Sequence, residues 1–401
     1  MRAYHVRVMQ DASPRDDNRA RVLDALRRHG CVSRRELVDV TGLSRSTVSS
    51  LVGEMQDLGH VVEKAHDEQP SGRGRPATRL RFAASAGVLL AVDFDHHQIS
   101  VAVGDLSGGL LAEKSTSRVD QAVDAPTIAT DLVAAAAAAA GAEASAPVAT
   151  VVSLPGPVRM RDAEIAGSPL LPSWIGAGTA ADLRRRFGGD VRFENDANLA
   201  AYAEHCYGAG RDADDMVYVV ADDGIGAGLV LNGRPYAGAW GLAGELGHVR
   251  VVPNGPLCRC GNRGCLGTVA GAGPLLELLR TMRGDDLTVR GMIELAAGGD
   301  EAARRLVRDA GFAIGQVLAA LCNHVNPARI VVGGALSDPE APLLDGIAAG
   351  IEQDALPGTA ELVDVVRGQL GPRATLLGAL ALAARDTDRL PSARLSVAVP
   401  P

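Results

Sequence analysis

Gly244-Glu245-Leu246-Gly247-His248, then nine residues, then Cys258-Arg259-Cys260-Gly261-Asn262-Arg263-Gly264-Cys265, is the stretch on which the reading of this chain turns. Three of the six cysteines fall within eight positions beside a histidine, on a glycine- and proline-rich loop able to fold four side chains about one point. Thiolate and imidazole suit zinc. His248, Cys258, Cys260 and Cys265 would fill a tetrahedral shell with no open position, so the expected Zn2+ is structural. One disulfide with spare thiols is the alternative. Cys258 and Cys260 are too close to bridge easily, however, and nothing in the chain points to an oxidising compartment.

The run Gly-Glu-Leu-Gly-His followed by Cys-x-Cys-Gly-x-x-Gly-Cys resembles the signature of the ROK family, bacterial sugar kinases and sugar-responsive repressors. The resemblance implies that His248 is both zinc ligand and sugar contact, with the metal orienting a recognition residue.

Outward from that stretch, 401 residues is long for one core, and two or three domains are expected. A hydrophobic content of 47% with only 3% aromatic residues says globular, with cores of Ala, Val and Leu. No apolar run has transmembrane character and no signal-peptide pattern opens the chain, so no membrane partner and a cytoplasmic location are expected. Residues 1–82 carry 15 Lys/Arg against 11 Asp/Glu, net +4, while the remainder carries 25 against 37, net −12. An acidic body is no nucleic-acid surface, whereas the N-terminal part can be one.

That N-terminal part has the pattern of a helix-turn-helix reader. Asn18–His29 places Val22, Leu23 and Leu26 at helical spacing, and Ser33-Arg-Arg-Glu36 is a capping box for a short second helix. After the turn Thr41-Gly42-Leu43, a third helix from Ser44 buries Val48, Leu51, Val52, Met55 and Leu58. Ser44, Arg45, Ser46, Thr47, Ser49 and Ser50 are left to face double-stranded DNA. Three helices packed for a protein contact are the alternative. Gly59–Glu63 and Thr78–Phe82 read as strands flanking a wing or linker over 66–78. Its tip, Arg73-Gly74-Arg75-Pro76, holds two guanidiniums, Arg73 and Arg75, suited to a narrow minor groove. A solvated Arg/Gly linker is the other reading. Repressors of the ROK type carry a similar winged module, so the resemblance spans both parts.

The body, 83–385, repeats a meander of three strands followed by helices: Val88–Asp93, Ile99–Leu106 and Leu110–Thr116, then Val148–Ser153, with a second set from Met216–Ala221 and Gly226–Leu231. This resembles the two α/β lobes of the actin and hexokinase (ribonuclease H-like) superfamily, with a ligand between them. Residues 386–401 read as a flexible tail.

In ROK kinases a first phosphate turn reads Asp-x-Gly-Gly-Thr-Lys, whereas this chain has Asp93-Phe94-Asp95-His96-His97-Gln98. A carboxylate and an imidazole replace unhindered N–H groups, which argues against ATP binding and against an enzyme. The second turn, Gly224-Ile-Gly226-Ala-Gly228, is kept. Asn195 and Asp196 match the family's sugar-holding pair, and Asp196 would be the base in a kinase. With Glu245 and His248 they form the expected effector set, although the glutamate that the family places beyond the last cysteine is Gly267 here. The expectation is a transcription regulator, homodimeric or homotetrameric, responding to a sugar or sugar-derived molecule. An ATP-dependent sugar kinase fused to a DNA-binding module, or constitutive DNA binding over an empty cleft, are the competing readings.

Overall fold

The computed structural model describes residues 14–29, 32–64, 79–82, 87–95, 98–117, 124–142, 146–161, 164–165, 170–172, 174–176, 178–337 and 342–387. The wing residues Arg73 and Arg75, the segment 66–78 and most of the tail lie outside them, as do His96, His97 and Cys31.

The head is built from three helices, Pro14–His29, Arg34–Thr41 and Arg45–Asp57, and a small sheet. Ser33 caps the second helix, accepting from the Glu36 amide while the Glu36 carboxylate takes the Ser33 N–H at 2.7 Å. Such a cap stabilises the helix by about 1 kcal/mol. Gly42, at φ +66, closes the turn by donating its N–H to the Val38 carbonyl. The third helix starts at Arg45 with Ser44 as its cap, one residue later than the sequence pattern suggests. Leu58 ends up 45% exposed because it follows the last helical turn, whereas Val48, Leu51, Val52 and Met55 are buried. Val61–Lys64 and Arg79–Phe82 pair antiparallel, and the short strand Val32–Ser33 adds to the far edge of Arg79–Phe82. Ion pairs Arg34–Glu63 at 2.7 Å and Arg79–Glu36 at 3.3 Å tie this sheet to the second helix.

The body consists of two five-stranded sheets of the same topology. In the first lobe the order is Asp190–Asn195, Ala149–Leu154, Leu89–Phe94, Gln98–Gly104, Leu110–Ser117. The second lobe mirrors it with Asp364–Arg367, Arg329–Gly333, Met216–Ala221, Ile225–Leu231 and Arg234–Tyr236. In each, an antiparallel meander is extended by two parallel strands. Leu89–Phe94 and Ala149–Leu154 are buried throughout, as parallel strands covered on both faces must be. The cleft lies at the carboxyl ends of the central strands, where Asp93, Asn195, Asp222 and Gly333 stand.

Two helices join the lobes. Asp196–Tyr207 leaves the first sheet and packs on Met216–Ala221 and Ile225–Leu231 of the second. Ala374–Asp386 leaves the second lobe and packs back on Asp196–Tyr207, Leu89–Phe94 and Ala149–Leu154. Alanine at 197, 200, 201 and 203 lets the first of these come close to its neighbours, and glycines complete the fit. A Cβ on Gly378 would sit 1.9 Å from the Leu199 carbonyl oxygen, and one on Gly228 would sit 2.4 Å from that of Ala197. Gly228, read from sequence as part of a phosphate turn, is therefore a packing residue within a strand. The head joins this arrangement: Val22, Leu26, Leu51, Leu80 and Phe82 belong to the same apolar cluster as Leu89, Tyr202, Leu380 and Ala383.

Candidate functional site

His248 sits on a single 3-10 turn, Leu246–His248, and the cysteines follow on a loop closed by backbone bonds between Val251 and Gly264 and between Cys258 and Asn262. The four ligand atoms lie within 4.8 Å of one another. Cys258 Sγ is 3.5 Å from His248 Nδ1, and Cys260 Sγ is 3.7 Å from Cys265 Sγ. A tetrahedral ion with bonds of roughly 2.3 Å to sulfur and 2.0–2.1 Å to nitrogen requires edges of roughly 3.8 and 3.6 Å, so the donor set fits such an ion in both chemistry and size. Burial pushes the Cys265 thiol up to about 12, which a bound cation would reverse. The other described cysteines stand apart, Cys322 buried in the second lobe's core and Cys206 partly buried against the first.

The metal group borders the cleft through His248, whose Nε2 faces the Glu245 carboxylate at 3.8 Å. Burial holds the His248 pKa below its usual value. Glu245 is raised to about 7 by burial and by the Asp196 charge. Across the cleft, Asp196 opens its helix with Oδ1 accepting from the Ala197 N–H at 2.8 Å and from the Asn195 amide at 2.9 Å. Burial, with the nearby Asp95 charge, raises Asp196 to about 6 against the pull of backbone N–H groups, that of Ala197 foremost.

Asn195 plays a supporting part. Its Oδ1 caps the helix through the Asn198 N–H at 3.0 Å, and its Nδ2 also donates to the Gly156 carbonyl at 2.9 Å. It thereby fixes Asp196 against the turn Pro155-Gly156-Pro157. The structure thus brings Asn195, Asp196, Glu245 and His248 to one cleft of about 2210 Å³, with Asn195 committed to its neighbours and Asp196 and Glu245 lining the cleft.

Sequence reasoning missed two carboxylates of the site. Asp93, at the end of its strand, is raised to about 7 by burial, opposed by the Ser153 hydroxyl and reinforced by the Asp196 and Asp95 charges. Asp222 is raised by burial and accepts from the Ala335 N–H. The signal for Asp222 was the acidic pair Asp222-Asp223 immediately before Gly224, while Asp93 opens the altered phosphate turn and was not counted among the ligand-facing residues. Asp95 itself turns back to Gln98 through an amide-to-carbonyl bond of 3.0 Å.

On the head, Arg45, Ser46, Ser49 and Ser50 are exposed and Thr47 is half-buried. The Ser44 hydroxyl is occupied by the cap, accepting from the Thr47 N–H at 3.1 Å and lying 2.8 Å from both the Ser46 and Thr47 hydroxyls. Arg45 forms no ion pair among the described residues and projects from the start of the helix.

A winged head joined to a two-lobed body with a ligand-sized cleft is the architecture of a ligand-responsive transcription regulator. The chain belongs to the ROK family, whose profile matches residues 89–386, and a MarR family profile matches residues 15–69 of the head. The DNA-binding transcriptional repressor Mlc of Escherichia coli (strain K12) is 29% identical over 373 residues, covering 90% of each chain. The xylose repressor of Bacillus subtilis (strain 168) is 27% identical over 365 residues, 90% of this chain and 93% of that one. Among solved structures, a ROK family transcriptional regulator, a homolog of the E. coli MLC protein, superposes with a TM-score of 0.78 at 25% identity, covering 96% of this chain and 99% of that one. A ROK family glucokinase from Streptomyces griseus, in complex with glucose and AMPPNP, matches with a TM-score of 0.62 at 29% identity over 74% of this chain and 99% of its own. Among the described residues no helix is long and apolar enough to cross a membrane.

Proposed function

We propose that this chain represses or otherwise regulates transcription by binding double-stranded DNA through the helix Arg45–Asp57 and the segment 66–78, under the control of a sugar or sugar-derived effector in the cleft. The carrying observation is a cleft that keeps a half-buried, oriented Asp196 while its phosphate end is lined by Asp93, Asp95 and Asp222. A triphosphate would meet carboxylates where it needs N–H groups, so the body binds without transferring phosphate. Zn2+ held by His248, Cys258, Cys260 and Cys265 is structural. It sets the ring whose other nitrogen faces Glu245.

Residues 1–82 act as the reading head and 83–385 as the sensing body, working as a homodimer on a two-fold operator or as a homotetramer. The route between them is physical. Asp196 begins the helix that packs on Ala374–Asp386, and that helix shares an apolar cluster with the head. An effector preferring one lobe angle by about 1–3 kcal/mol is enough to shift operator affinity.

Two experiments test this reading. In a footprint on the DNA upstream of its own gene, Arg45→Ala weakens protection on the order of 10–100-fold, because one cationic contact is lost from each head. Equal protection of unrelated sequence at moderate salt would reject the assignment. In coupled assays of ADP release over a panel of hexoses, the protein shows only background. A rate above background that Asp196→Asn abolishes would instead make it a kinase.

A further inference from the structure

A sugar hydroxyl both donates and accepts, so a site that holds one needs donors as well as acceptors. The effector residues named above supply mainly acceptors. Asp196 and Glu245 are carboxylates, the Asn195 amide donates to Gly156 and to Asp196, and the His248 Nε2 is turned to Glu245 at 3.8 Å.

Among the described residues, five buried polar side chains line the cleft: Asp93, Asn195, Glu204, Tyr218 and Ser337. Asn195, Glu204 and Ser337 are bonded to the chain's own backbone, and Asp93 sits with the Ser153 hydroxyl. Tyr218, only 4% exposed, makes no hydrogen bond to any described residue. It stands on Met216–Ala221, the central strand of the second sheet, in an apolar cluster with Ala200, Ala201 and Ala374 of the two joining helices. Its hydroxyl reaches over Gly333, where a Cβ would sit 2.1 Å away, so glycine at that strand end leaves room for the phenol. Burial, and then the charges of Glu204, Asp196 and Asp222, hold its pKa above the usual tyrosine value. The group therefore keeps its proton and can donate it. A buried donor without an acceptor is destabilising, and a ligand oxygen would satisfy it.

We infer that Tyr218 is the hydrogen-bond donor of the effector site, its O–H bonding to a sugar hydroxyl whose own proton goes to Asp196. Asp196 follows the last strand of the first sheet and Tyr218 belongs to the second, so a single ligand hydroxyl is held by both lobes and favours one angle between them. This rests on the effector reading of the cleft and names the residue through which occupancy is felt by the second lobe.

Tyr218→Phe removes the hydroxyl alone. Because that group has no partner within the protein, urea denaturation of the full chain without sugar shows the parent's stability or slightly more. Calorimetric titration with D-glucose, D-xylose and N-acetyl-D-glucosamine separates the two proteins. The sugar that binds the parent binds Tyr218→Phe about fivefold or more weakly, as loss of one buried neutral hydrogen bond predicts. In an Asp196→Asn background the same change weakens binding about twofold or less, since both groups hold one oxygen.

Equal affinity of Tyr218→Phe and parent overturns the inference, as do fully additive losses with Asp196→Asn. So does a clear drop in the stability of sugar-free Tyr218→Phe, which would mean that the hydroxyl already has a partner. If a sugar binds both proteins equally and still lowers operator affinity, Tyr218 is idle and the effector reading stands. If none of the three sugars binds a parent protein that protects its operator, both fall.

Discussion

Cys260→Ser, or removal of metal by a chelator, is expected to lower the unfolding temperature of the body by about ten degrees or more. Residues 252–263 are mostly exposed, and the loop that bears the cysteines has backbone bonds but little apolar core of its own, so the four ligands are what gather it. Structural zinc contributes an apparent 10–16 kcal/mol in small zinc-finger peptides, roughly, and loss of one ligand forfeits part of that. At roughly 2–4 °C per kcal/mol for units of 150–250 residues, even a modest part is on the order of ten degrees. Scanning calorimetry with elemental analysis of protein purified without chelator measures both. A preparation that holds no zinc, or a Cys260→Ser protein that melts with its parent, would remove the metal from the account. Because His248 faces Glu245, the same change should also weaken whatever ligand the cleft holds.

The second large effect is expected at Glu204, which is 1% exposed on the helix that begins with Asp196. Its Oε1 accepts the Gln369 and Leu370 N–H groups, each at 2.9 Å, and its Oε2 accepts the Ala209 N–H at 2.8 Å. Residues 368–370 are the point where the second lobe's last strand hands over to the helix Ala374–Asp386. One carboxylate thus clamps the helix that begins with Asp196 to the connection that returns to the head. Glu204→Ala leaves three part-buried N–H groups without their acceptor, at a cost of about 2–4 kcal/mol. Glu204→Gln keeps an oxygen for Gln369 and Leu370 and turns an NH2 toward Ala209, so its loss is smaller. Urea denaturation of the two variants should rank them in that order, with Glu204→Gln still folded and its operator affinity less responsive to effector. Equal stability of Glu204→Ala and parent would mean that the clamp is idle.

Glu204 also marks a limit of reading from sequence. A lone acid in an alanine-rich helix looks like a solvated position, and its partners are 165 and 166 residues away for the backbone groups of Gln369 and Leu370. The same limit hid Asp222 and the role of Gly228. Asp222 matters because its strand end lies near Asp95, and Gly228 because a helix from the other lobe crosses it. Asn195 was legible as a site residue, but its work as cap and brace for Asp196 depends on Gly156, 39 positions away. The strand Val32–Ser33 went unread because two residues carry no period and acquire meaning only through Leu80 and Arg79.

Where the chemistry is local, sequence was enough. The cap Ser33–Glu36, the turn at Gly42, the buried face Val48–Leu51–Val52–Met55 and the cysteine spacing each involve groups within a few turns or one short loop. Residue type and spacing therefore determine them before any tertiary contact forms. Tertiary structure alone decided which carboxylates share the cleft, which glycines serve packing, and how the sensing helix meets the head. Those are contacts between segments well separated along the chain, and their energies come from burial and from charge at close range, which exist only once both sheets and both joining helices are in place.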